Sequence, residues 1–148
     1  MQTVNIFWFR RDLRLNDNAG LYHALKAGLP VLPIFIFDKN ILNKLEDKAD
    51  RRVEFIHTAL VEMQTALVKT GSSLLIFHAT PEEAFNNLFE KYKVDKVFTN
   101  HDYDPYAIQR DRAVADFLSS TGSALQSFKD QVIFEKDEVL KDDGKPYT

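Results

Sequence analysis

No cysteine occurs among the 148 residues, which excludes disulfides and thiolate metal sites and agrees with a reducing cytoplasm. The four histidines, His23, His57, His78 and His101, are scattered without metal-ligand spacing, so no metal site is expected. Glycine is scarce, with five in all, and none stands directly after the first apolar run. Neither a GxGxxG fingerprint nor a phosphate-binding P-loop is therefore present, and NAD chemistry and NTP hydrolysis are poor readings. An excess of basic residues is also missing: 19 Lys and Arg against 22 Asp and Glu give a net charge of −3. The general attraction to phosphates that drives DNA binding is weak without such an excess, so this segment alone is not expected to bind DNA. No apolar run approaches the ~20 residues of a membrane span, and Met1-Gln2-Thr3-Val4 does not open a secretory signal. A soluble, cytoplasmic chain is expected.

The composition present is that of one folded domain. It is 45% hydrophobic and 12% aromatic, mostly phenylalanine. A domain of this length buries roughly 70% of the surface its unfolded chain exposes. Five short apolar runs, Val4 to Phe9, Val31 to Phe37, Ser73 to His78, Lys96 to Asn100 and Ala124 to Phe128, predict strands covered on both faces. Helical patterns separate them. Asp17 to Ala27 forms a first helix ended by Gly28, and Val53, Ile56, Leu60, Met63 and Leu67 fall on one stripe of a second. Thr80-Pro81-Glu82-Glu83 reads as a capping box that opens a third, with Phe85, Leu88, Phe89 and Tyr92 inward, and Asp104-Pro105 opens a fourth. Strict alternation predicts a doubly wound, Rossmann-like α/β domain with a five-stranded parallel sheet in the order 3-2-1-4-5. Pro33 is an objection, because an inner second strand would lose a ladder hydrogen bond there.

In such a sheet ligands bind beyond the carboxyl ends of the strands where their order reverses, here between the first and fourth. The first strand ends in Phe9-Arg10-Arg11-Asp12 with Arg14 close behind, the fourth in Asn100-His101-Asp102-Tyr103-Asp104, and the second in Phe37-Asp38. Aromatic walls with several hydrogen-bonding groups suit a planar heterocycle with a polar tail better than a bare phosphate. The arginines also have a purely structural reading, as partners of Asp12, Asp17 or Asp38, and the sequence leaves both open. No residue stands out as a tuned acid or base, so no catalytic residue is assigned.

Phe7-Trp8-Phe9-Arg10-Arg11-Asp12-Leu13-Arg14-Leu15-Asn16-Asp17-Asn18 resembles the opening signature of the DNA photolyase and cryptochrome family. Phe35-Ile36-Phe37-Asp38, Arg52-Val53-Glu54-Phe55-Ile56, Asn100-His101-Asp102-Tyr103-Asp104-Pro105-Tyr106 and Arg110-Asp111 are similar to its later motifs. Gly144-Lys145-Pro146-Tyr147-Thr148 looks like the entry to its interdomain linker. The resemblance implies that residues 1–134 are the family's amino-terminal antenna domain and 135–148 the start of the linker. A helical domain beyond them would bind FAD and damaged DNA, and there reduced FAD would split cyclobutane pyrimidine dimers by light-driven electron transfer. This chain alone would be inactive in repair and would carry the light-harvesting cofactor.

Within the family, members using methenyltetrahydrofolate have an Asn-Glu pair where this chain has Tyr106-Ala107. The resemblance thus implies a deazaflavin, FMN or FAD antenna, or an empty site. Phe9, Arg10, Arg11, Phe37, Asp38, Arg52, Asn100, Asp102 and Asp104 are its implied binding residues. A cryptochrome photoreceptor is the alternative, since nothing before Thr148 separates the two. A nucleotide-binding module similar to universal stress proteins would require a glycine-rich loop late in the chain, where Asp104-Pro105-Tyr106 stands instead. A domain that mainly buttresses its helical partner would expose an apolar surface normally covered by that partner and would tend to self-associate.

Overall fold

The computed structural model describes residues 1–10, 12–38, 51–102 and 105–129; the side chains of residues 51–53 are not among the described ones. Strands β1 (Thr3–Phe9), β2 (Val31–Asp38), β3 (Leu75–Ala79), β4 (Lys93–Asn100) and β5 (Ala124–Phe128) alternate with helices α1 (Ala19–Lys26), α2 (Arg51–Lys69), α3 (Pro81–Lys91) and α4 (Pro105–Ser120). All four strand pairings are parallel and the order is β3-β2-β1-β4-β5, as the alternation predicts.

Alternate residues of the inner strands enter two separate cores, because successive side chains of a strand point to opposite faces. Ile6, Trp8, Ile34, Ile36 and Val97 pack with Phe85 and Leu88 of α3 and Val114 and Leu118 of α4. Phe7, Phe9, Phe35, Phe37 and Phe98 pack with Leu21 and Ala24 of α1 and Leu60 and Met63 of α2. Some aromatic rings meet edge to face, as Trp8 and Phe85 at 5.4 Å, and others stack, as Phe98 and Phe128 at 6.1 Å.

The helix boundaries follow local chemistry. Asn18 caps α1 by accepting from the Leu21 backbone N–H, so the helix starts two residues later than Asp17. It closes before Gly28, whose φ of 90° a side chain would oppose. The expected capping box on α3 is present: Glu83 N–H donates to the Thr80 hydroxyl, and Thr80 N–H donates back to the Glu83 carboxylate. The α2 stripe also points inward, with Leu60 and Met63 buried and Ile56 and Leu67 packed against them.

Pro33 sits in an inner strand without loss. Asn5 N–H donates to the Pro30 carbonyl, which sets the even-numbered residues of β2 to bond β1 and turns Pro33 towards β3. Pairing with β3 begins only at Ile34. Two strand expectations need correction. β4 starts at Lys93 rather than Lys96, with an irregularity in its register against β1 between Val4 and Ile6, where the Asn5 side chain accepts from Lys96 N–H at 3.0 Å. The edge strands β3 and β5 are not covered on both faces; Ile76 is 42% exposed, since an edge strand has a neighbour on one side only.

Candidate functional site

At the carboxyl ends of β1 and β4 the two faces of the sheet are tied down separately. On the α1 face, Asn100 uses both ends of its amide. Its Oδ1 accepts from Gly20 N–H at 2.8 Å, and its Nδ2 donates to Asn18 Oδ1 at 2.8 Å and to the Asp12 carboxylate. Asp12 in turn accepts from Arg10 N–H at 2.8 Å, and Asn18 donates to the Arg14 carbonyl at 3.0 Å. One buried side chain thereby fixes the 12–18 loop and the start of α1 against β4. Gly20 permits this approach: a Cβ there would lie 2.8 Å from both Asn100 Oδ1 and Phe7 Cε1.

On the α4 face the chemistry is ionic. The Arg10 guanidinium, buried to all but 6% of its side chain, donates to Asp111 and to the Asn100 carbonyl. Arg110 donates to the same Asp111 carboxylate at 3.4 Å. Both guanidiniums lie over the Trp8 ring, 5.1 and 5.0 Å from its centroid. Burial, and next the nearby Arg10 charge, lower the Arg110 pKa, opposed by Asp111 and Asp102. The Arg110 Nη2 is buried without a hydrogen-bond partner among the described residues.

A third contact crosses the strand ends. Asp38, buried at the end of β2, accepts from the Tyr106 hydroxyl at 2.9 Å. Tyr106 lies in the first turn of α4, which follows β4, so the bond spans the end of the intervening β1.

Of the implied binding residues, Arg10 and Asn100 are thus joined in one network, and Asp102 faces Arg110 from the loop after β4. Phe9 and Phe37 lie in the α1–α2 core, and Asp38 is held by Tyr106. Arg11, Asp104 and the Arg52 side chain lie outside the described residues. The Arg10 guanidinium pairs with Asp111 and not with Asp12, Asp17 or Asp38, whereas Arg14 does meet Asp17, donating to its carbonyl at 3.2 and 3.1 Å. Sequence reasoning did not give Gly20, Asn18 or Asp111 a place in the site. A signal existed for Asp111, which shares a helical stripe with Ala107, Val114 and Leu118, where a charge needs a buried partner.

A groove of about 660 Å³ lies apart from these networks, between α2 and the edge strand β3. Val61, Val68 and Ile76 are exposed along it, and at one end His78 stacks on Phe37 with ring centroids 4.7 Å apart.

The parallel order, with polar side chains gathered where it reverses, defines a doubly wound α/β domain of the kind that binds ligands beyond its strand ends. The DNA photolyase family model matches residues 5–148, and the chain belongs to that family. It is 34% identical over 143 residues to a deoxyribodipyrimidine photo-lyase of Synechococcus, covering 97% of this chain and 29% of that protein. It is 30% identical over 145 residues to cryptochrome-1 of Arabidopsis thaliana, covering 97% of this chain and 21% of the relative. The crystal structure of a Sulfolobus tokodaii photolyase, described as holding two FAD molecules and implicating a novel light-harvesting cofactor, superposes with a TM-score of 0.76. That pair is 32% identical, with 93% of this chain and 32% of the other covered. The chain therefore spans less than a third of the length of these relatives.

Proposed function

We propose that this chain is the antenna-chromophore domain of a DNA photolyase and that its chromophore is a deazaflavin, FMN or FAD. The observation that carries the reading is Asp38: a buried carboxylate at the end of β2, beside Phe37, that already accepts a hydrogen bond from an aromatic hydroxyl group. Such an acceptor fits the imide N–H of an isoalloxazine or deazaflavin ring. The Sulfolobus relative with two FAD molecules supports a flavin in this role. When bound, the chromophore would absorb near-ultraviolet or blue light and pass excitation to a second flavin.

The residues divide the remaining work. Asp38 and Asp102 would orient the ring, and Phe9 and Phe37 would back it. Arg11, Arg52 and Asp104 would contact the polar tail. Arg10 and Asn100 would act one step removed, by fixing the strand ends. Residues 1–134 form the antenna domain in this reading, and 135–148 begin the linker. The parent would contain a helical domain that binds reduced FAD and cyclobutane pyrimidine dimers, and these 148 residues alone would repair no DNA under light. The Arabidopsis relative favours a second reading, the same domain in a cryptochrome. Dimer repair by the parent chain, present or absent, separates the two.

An absorbance and fluorescence titration with deazaflavin, FMN, FAD and methenyltetrahydrofolate tests the antenna assignment. Saturable binding of a flavin or deazaflavin with a shifted spectrum is expected. Binding of the folate alone, or of nothing, would contradict it.

A further inference from the structure

We propose that Tyr106 is a place-holder in the antenna site, its phenol occupying on Asp38 the position that a heterocycle's N–H takes when the ligand binds. The inference rests on the reading of Asp38 as the ligand-facing carboxylate. Asp38 is 5% exposed, and a carboxylate so buried is costly unless it accepts hydrogen bonds. Tyr106 supplies one at 2.9 Å from another element, α4, reaching over the end of β1. It does so with a planar aromatic ring that carries a hydrogen-bond donor at its edge, which is also the description of a flavin's imide side. Its half-buried position in the first turn of α4 leaves the ring a path to solvent. Most polar side chains nearby cannot exchange in this way: Asn100 is committed to Gly20, Asn18 and Asp12, and Arg10 to Asp111 and the Asn100 carbonyl.

Two consequences follow from the competition. The ligand's affinity is lowered by the strength of the Tyr106–Asp38 bond, and the site selects ligands that bring a donor to replace it. A ring nitrogen without hydrogen would displace the phenol without replacing the hydrogen bond that Tyr106 donates.

Fluorescence titration of the full chain with FMN and with N(3)-methyl FMN, for the wild type, Tyr106→Phe and Tyr106→Leu, tests this. Both variants are expected to bind FMN about tenfold more tightly, the factor that ~1.4 kcal/mol of lost competition is worth. N(3)-methyl FMN, which lacks the imide hydrogen, should show no such gain. Unchanged or weaker FMN binding in both variants, with wild-type binding intact, overturns the place-holder and leaves the antenna assignment standing. A gain in Tyr106→Leu alone assigns the block to bulk and also overturns it. An equal gain with N(3)-methyl FMN does the same. Absence of flavin binding in all three proteins overturns both readings.

Discussion

On the α1 face of the β1 and β4 ends, a neutral amide distributes hydrogen bonds among Gly20, Asn18 and Asp12; on the α4 face, two guanidiniums share one carboxylate over an indole ring. The same few ångströms of backbone are held through a neutral amide on one face and through an ion pair on the other. The difference teaches that a run of arginines after a strand need not be a ligand site. Arg10 is consumed by the fold, and the carboxylate we propose for the ligand is one strand away, at Asp38.

The charged face should be the more fragile to a single deletion. Asp111→Ala leaves Arg10 and Arg110 buried side by side without their shared carboxylate, and a stability loss of about 3 kcal/mol is expected in urea unfolding. A loss under 1 kcal/mol would mean that water or Asp102 replaces Asp111, and the contrast between the faces would fail. Asn100→Ala strands the Gly20 N–H and removes a donor from Asp12 and Asn18, with about 2 kcal/mol expected by the same measurement. Gly20→Ala is the smallest change and sharpens the comparison through its sign. Alanine inside a helix ordinarily stabilises by ~1 kcal/mol relative to glycine. Here its Cβ would meet Asn100 and Phe7 at 2.8 Å, and a net loss of about 1 kcal/mol is expected in thermal unfolding. A raised Tm would show that the α1 face yields more readily than its hydrogen bonds suggest.

The sheet order was legible because periodicity and capping agreed along the chain: the Thr80 capping box and the α2 stripe are both where the residues place them. Pro33 looked wrong only because a one-dimensional reading cannot tell which neighbour a residue bonds; the register turns it towards a strand that has not yet begun pairing. The gathering of the candidate residues was legible, but their partners were not. Phe9, Arg10, Asn100 and Asp38 do gather at the strand ends. The choice of Asp111 for Arg10, 101 positions away, depends on how α4 lies across β1. The α2–β3 groove was similarly hidden, because Val61 and Val68 sit on a helix whose stronger apolar stripe faces inward.

The central claim is that Asp38 serves the ligand while Asp111 serves the fold. The most direct test is an FMN titration of Asp38→Asn made in the Tyr106→Phe background, where no phenol competes for residue 38, read alongside its Tm. FMN affinity at least about tenfold weaker than in Tyr106→Phe is expected, as replacing a charged acceptor by a neutral one requires, with a Tm close to that of Tyr106→Phe. Unchanged FMN affinity in the folded double variant would contradict it.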